Sequence, residues 1–202
     1  MLMLAFDTSA SAVSVAVLDE ARVWSYQERE MERGHAEALM PMIQAVLDAS
    51  KVSLKEIGGI AVSLGPGSFT GVRVGLAAAR AFALALNVRV YGVTTFEAWA
   101  YHVGKPAWVV LDTKRDDYYA QFFDAEGKPT SEPSILSSEQ LKEKLPFDAL
   151  GTGAEKLASE INCGLIQKIS PIAVSIGRVA LGRMDHPLPP DPIYLRDADV
   201  TL

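Results

Sequence analysis

Leu4-Ala5-Phe6-Asp7-Thr8 and Val109-Val110-Leu111-Asp112-Thr113 are one phrase written twice, and the repetition decides the fold. Each is an apolar, β-prone run closed by Asp-Thr. Each is followed by a second strand and an acidic turn: Val15-Ala16-Val17-Leu18-Asp19 in the first copy, Ala120-Gln121-Phe122-Phe123-Asp124 in the second. The offset is 105 residues throughout. A half-chain repeat predicts two related lobes facing each other. The predicted division is 1–104 for the first lobe and 105–202 for a smaller, less regular second lobe.

Working outward from the first phrase, apolar alternation predicts strands at 2–6, 13–18 and 22–27. Leu39, Ile43, Val46 and Leu47 fall at helical spacing within 35–50. Pro41 predicts that this helix starts nearby or kinks. The run Ile60 to Leu64 reads as a strand entering Gly65-Pro66-Gly67-Ser68-Phe69-Thr70-Gly71, a tight turn that opens an Ala-rich helix to about Leu86. Ser68 or Thr70 supplies its cap. A strand at 88–93 and a helix from Thr94 or Thr95 to about Val103 complete a β-β-β-α-β-α-β-α lobe of the α/β class. Beyond the second phrase, helices are predicted near 138–144, 154–161 and 171–183, then an extended Pro187–Pro192 and a short strand or docking segment at 193–195.

With 202 residues and 49% hydrophobic composition, the chain has material for a substantial core, which excludes a disordered polymer. The net charge is -6 and the cations are scattered, so nucleic acid is expected to be reached only through a partner. The longest apolar run, Val74 to Leu86, is broken by Arg80 and falls short of the roughly 18 residues of a membrane span, so no membrane is expected among the partners. The start, Met1 to Phe6, meets Asp7 at once and reads as a strand rather than a signal peptide. A single cysteine, Cys163, with no CxxC or His/Cys cluster, predicts a cytoplasmic location and no metal.

Three features could carry chemistry. Asp7 and Asp112 end equivalent strands, as the magnesium-holding carboxylates do in kinases and ATPases built from duplicated lobes. The turns that follow lack the glycine a phosphate cradle usually needs, so turn-capping competes with nucleotide contact. Gly65, Gly67 and Ser68 open a helix where backbone N–H groups attract anions, although no P-loop Lys follows and the serine is not in a nucleophile elbow. Gly67, Gly71, Gly75, Ala79 and Ala83 form a small-residue stripe, which fits close packing either on the protein's own sheet or on a partner helix. His35 has Leu39 where a second helical metal ligand would stand.

Several segments together resemble one family: Leu4-Ala5-Phe6-Asp7-Thr8-Ser9, His35-Ala36-Glu37 with Leu39-Met40-Pro41, Gly65-Pro66-Gly67-Ser68-Phe69-Thr70-Gly71-Val72-Arg73, Gly92-Val93-Thr94-Thr95, and Pro192-Ile193-Tyr194-Leu195-Arg196. The family is the bacterial dimerization subunit of the tRNA threonylcarbamoyladenosine synthase, the TsaB or YeaZ type. Their order covers nearly the whole chain, with 114–186 the least diagnostic stretch.

The resemblance implies an actin/Hsp70-like, ribonuclease H-like duplicated (ASKHA) fold. It implies a non-catalytic partner subunit that dimerises with the catalytic paralogue TsaD, acts with the ATPase TsaE, reaches tRNA only indirectly and forms a homodimer when alone. The modification is N6-threonylcarbamoylation of the adenosine next to the anticodon. The catalytic paralogue carries a His-x-x-x-His metal pair on its first helix; here His35 is followed by Leu39, so one ligand is gone. The implied interface lies on the helices at 35–50 and 68–86, with His35, Leu39, Met40, Ile43, Gly71, Gly75 and Ala79 as its candidate residues. A vestigial nucleotide site would use Asp7, Asp112, Gly65, Gly67 and Ser68. No cofactor is expected, though a nucleotide at the subunit interface is compatible with the family. The shortened second lobe departs from the family pattern. The rival reading is a free-standing ATPase or small-molecule kinase using Asp7 and Asp112; nothing supports a peptidase.

Overall fold

The computed structural model describes residues 1–168 and 170–196. Its first sheet has the order β3-β2-β1-β4-β5, built from β1 (Met3–Ala10), β2 (Ala12–Leu18), β3 (Val23–Glu30), β4 (Gly59–Ser63) and β5 (Arg89–Val93). The first three strands form an antiparallel meander, while β4 and β5 run parallel to β1. Helices α1 (His35–Ser50) and α2 (Phe69–Leu86) cross between the parallel strands, and α3 (Thr95–Ala100) follows β5. Every residue of β4 is buried, as expected of a parallel strand covered on both faces.

The second sheet has the order β8-β7-β6-β9-β10, with the same pattern of directions. Its strands are β6 (Ala107–Asp112), β7 (Asp117–Phe123), β8 (Ser134–Ser137), β9 (Asp148–Leu150) and β10 (Gly164–Leu165). Helix α4 (Ser138–Lys142) precedes β9 and α5 (Ala154–Ile161) follows it. The repeat read from the two Asp-Thr phrases is therefore a duplicated topology. The constant offset does not survive across the hairpins. Asp7 lies opposite Ser14, but Asp112 lies opposite Tyr118, so the second turn is one residue shorter.

The sequence also reads one boundary at 104/105, and the structure corrects it. The chain divides into Met1–Ala98 with Ser170–Ile193, and Trp99–Ile169 with the tail from Tyr194. Helix α6 (Ile172–Gly182) returns to the first sheet. The physical reason lies in the two faces of that sheet. On one, Leu4, Phe6, Val13, Val15 and Val17 pack with Leu39, Ile43, Val46 and Leu76 of α1 and α2. On the other, α6 is seated: a Cβ at Gly177 would collide with Leu18, and Arg178 donates to the carbonyls of Asp19 at 2.7 Å and Glu20 at 2.8 Å. The first turn of α6 is capped from the sheet, with the Ile172 N–H donating to Glu28 and the Ala173 N–H to Ser14 Oγ, both at 3.1 Å.

One smaller expectation changes and one open alternative is decided. Helix α1 starts six residues before Pro41 and continues past it, although an interior proline costs about 3 kcal/mol. Burying Leu39, Met42, Ile43, Val46 and Leu47, at roughly 1.5–3 kcal/mol each, outweighs it. Of the two alternatives for residues 193–195, strand or docking segment, the structure shows no strand, and Ile193 docks on the first unit, its N–H donating to the Leu64 carbonyl at 2.8 Å.

Candidate functional site

The small-residue side of α2 faces the protein's own first sheet. Thr8 Oγ1 donates to the Gly71 carbonyl at 2.6 Å, and a Cβ at Gly71 would collide with the Thr8 carbonyl. A Cβ at Gly75 would stand 2.9 Å from Thr8 Oγ1 and 3.4 Å from Val62 Cγ2, and Ala79 is fully buried. The assignment of Gly71, Gly75 and Ala79 to a partner interface is thereby corrected: two glycines and a methyl group let α2 lie close against the first sheet. Leu39 and Ile43 are corrected on the same ground, since both are buried in the first unit's core. His35 is half-buried and engaged locally. Its Nε2 stands 2.8 Å from the Ala10 carbonyl oxygen, which can only accept, so Nε2 carries the proton and pins the start of α1 to the β1–β2 turn. Of the seven interface candidates, Met40, 45% exposed, points outward.

The turn after β4 packs onto the β1–β2 turn. The Ser68 N–H donates to the Ser9 carbonyl at 2.7 Å, and a Cβ at Gly67 would collide with that same carbonyl. Ser68 Oγ accepts from the Gly71 N–H at 3.2 Å, so of the two candidate caps of α2, Ser68 and Thr70, it is Ser68 that serves. Gly65 has φ +90°, the left-handed conformation glycine tolerates best. The Gly65 carbonyl accepts from the Thr95 N–H at 2.8 Å.

Asp7 is only 3% exposed. Its Oδ1 accepts the Ser9 N–H at 2.9 Å, and Asp112 Oδ1 accepts the Lys114 N–H at the same distance. Both strand-end acids therefore cap their own turns, the structural alternative offered by the sequence. Asp7 lies in one cross-strand row with Ser14 and Glu28. Burial pushes its pKa up, Glu28 adds to that, and hydrogen bonds from Ser9 and Ser63 oppose it. Beside it the buried hydroxyls of Ser9, Ser63 and Thr95 bond to one another, with 2.9 Å between Ser63 and Thr95. Asp112, in the second unit, pairs with Lys114 at 3.2 Å. Among the described residues there is no group of three or more His, Cys, Asp or Glu arranged to hold a metal.

The outward side of α2 is the feature the sequence reading missed. Arg73, Ala77, Arg80 and Leu84 follow one another at helical spacing and all are exposed, Leu84 to 86%. Ala81 and Ala85 widen the apolar strip. The available signal was a helix with apolar residues on its outward side as well, Leu84 among them. By length and composition α2 could cross a membrane, contrary to the expectation from Arg80. Its inner side is, however, already seated on β1 and β4.

A family described as TsaD, tRNA N6-adenosine threonylcarbamoyltransferase, matches residues 28–169. The tRNA threonylcarbamoyladenosine biosynthesis protein TsaB of Buchnera aphidicola subsp. Baizongia pistaciae is 38% identical over 127 residues, covering 59% of this chain and 57% of that protein, little more than half of either. The solved structure of YeaZ from Pseudomonas aeruginosa superposes with a TM-score of 0.81 at 26% identity, covering 96% of this chain and 99% of that one. At the level of fold alone, the activator of a 2-hydroxyisocaproyl-CoA dehydratase from Clostridium difficile aligns over 92% of this chain and 96% of its own with a TM-score of 0.57 at 10% identity. The fold is the duplicated, actin/Hsp70-like ASKHA type that the resemblance implied.

Proposed function

Because the chain belongs to the TsaD family of tRNA N6-adenosine threonylcarbamoyltransferases and groups there with the TsaB (YeaZ) proteins of tRNA threonylcarbamoyladenosine biosynthesis, we propose that it serves as a non-catalytic partner subunit in that modification. Its partner is the catalytic paralogue TsaD, with the ATPase TsaE acting in the same complex and tRNA reached through the partner. The observation that carries this reading is the bare apolar strip of α2, with Leu84 86% exposed on a helix otherwise fixed to its sheet. Met40 is exposed on α1, which packs beside α2. Alone, the chain uses the same surface to bind a second copy, so homodimer and heterodimer compete for it. The working location is the cytoplasm.

Support over a free-standing ATPase or kinase comes from Asp7. A carboxylate that is nearly inaccessible, committed to its own turn and pushed towards its neutral form by burial is poorly placed to hold magnesium. No nucleotide is assigned to the chain itself. The test is co-purification with the catalytic paralogue, together with the threonylcarbamoyladenosine content of tRNA after depletion of this chain. Rescue by the wild type but not by Leu84→Glu is the expected result. A depletion that leaves the modified nucleoside at its normal level would refute the reading.

A further inference from the structure

Arg80 sits in the middle of the exposed Arg73, Ala77, Arg80, Leu84 strip, so anything that lies along the strip must cover a cation. Helix α2 contains no acid to neutralise it. The neutralising groups come from the far end of the chain. Arg80 Nη2 donates to the Pro190 carbonyl at 2.6 Å and to Asp191 Oδ1 at 3.2 Å. The segment bearing them is itself anchored. The Leu188 carbonyl accepts from the Gly92 N–H at 3.1 Å, the Ile193 N–H donates to the Leu64 carbonyl at 2.8 Å, and both side chains pack on the first unit's core. Asp191 therefore reaches Arg80 from an extended strap held at both ends.

We propose that Asp191 is a determinant of association at the outer side of α2: it holds Arg80 paired in advance, so that a second copy of this chain closes over a paired cation at that position instead of a bare one. In the free chain the pair is exposed, 54% at Arg80 and 73% at Asp191, and contributes little there. Once covered, the same cation without its partner would oppose association strongly. The second copy is favoured as occupant by the charges of the two helices. Glu37 and Asp48 are exposed on α1, which has no Lys or Arg, whereas α2 has Arg73 and Arg80 and no acid. A face with opposite signs on separate helices complements itself about a two-fold axis, with Arg73 of one copy meeting the α1 acids of the other. This inference rests on the reading of α2 as an association surface.

The test is sedimentation equilibrium of the full chain as wild type, Asp191→Ala, Arg80→Ala and the double variant, with thermal melts alongside. Asp191→Ala is expected to melt like the wild type and to dimerise roughly ten- to a hundredfold more weakly. The double variant is expected to recover to the level of Arg80→Ala, because the stranded cation is gone. Asp191→Ala dimerising as well as the wild type overturns the inference. So does a double variant as weak as Asp191→Ala, since loss of the strap's shape alone would give no recovery. A wild type that stays monomeric at every concentration reached overturns the reading of the α2 surface and this inference with it, whereas the other two failures leave that reading standing.

Discussion

Thr8 and Gly71 are locked together at the backbone: the Thr8 hydroxyl donates to the Gly71 carbonyl at 2.6 Å, and the Thr8 carbonyl occupies the space a Cβ on Gly71 would need. The end of β1 and the first turn of α2 thus define each other's position. Gly71→Ala forces backbone apart, and overpacking of this kind typically costs about 1–3 kcal/mol or more. Gly75→Ala meets a side-chain hydroxyl at 2.9 Å and has a softer neighbour to move. Thermal melts should therefore rank wild type above Gly75→Ala above Gly71→Ala. An unchanged midpoint for Gly71→Ala would contradict the close approach.

Leu84→Glu replaces an exposed side chain that touches no core. Its effect on monomer stability should stay within about 0.5 kcal/mol. Its effect on association, read by light scattering or by pull-down of the paralogue, should be loss. Gly75→Arg should behave in the opposite way, unfolding the chain instead of merely separating copies, because it drives an unpaired charge against Thr8 and Val62.

Asp7 makes stability depend on pH in an unusual direction. Its folded-state pKa lies above the ordinary 3.8, so the protonated form is the one the fold prefers. The stability linked to it is fully present below pH 3.8 and is lost as pH rises through the raised value. Asp7→Asn keeps an acceptor for the Ser9 N–H and removes the buried charge. At neutral pH the variant should melt at the wild-type temperature or above, and the advantage should vanish in acid. A variant clearly less stable at neutral pH would show that the charged form is the one the fold needs.

Arg183 joins the end of α6 to the β5–α3 junction. It donates to the Gly92 carbonyl at 2.6 Å and pairs with Glu97, which also accepts the Thr94 N–H at 2.8 Å in the cap of α3. The paired side chains are about a fifth exposed. Arg183→Ala should lose about 2–3 kcal/mol, and Arg183→Lys should recover only part of it, since a single ammonium cannot bridge carboxylate and carbonyl as a fork does. Chemical denaturation of the two variants checks the order.

The elements of the first unit were legible because their periodicities are strong and their turns carry Gly, Asp and Thr. Strands β8, β9 and β10 were not: they are two to four residues long, too short for alternation to register. The return of α6 was hidden for a different reason. Its apolar residues announce a buried helix but not which sheet receives it, and the receiving groups, Ser14 and Glu28, lie 159 and 144 residues away. At the site, the stripe of Gly71, Gly75 and Ala79 was visible but ambiguous, because small residues permit close approach by any backbone. The identity of its neighbour, Thr8, is a tertiary fact that no local pattern encodes. The exposed Leu84 was legible in principle, as a large apolar residue on the side of α2 away from those glycines.

The return of α6 also sets an order on biosynthesis. As the chain leaves the ribosome, the sheet of the first unit is complete by Val93, yet one of its faces stays uncovered until Ile172–Gly182 has emerged. The strands and helices of the second unit lie entirely within that interval, so the later half of the repeat can mature before the earlier one. Nascent chains stalled ahead of Ile172 should therefore be cleaved by protease around β1 to β3 while the 107–165 region resists, and chains released at full length should resist throughout. The duplication thus leaves its first copy waiting on residues made after its second, a natural point for chaperone engagement and for degradation of truncated products.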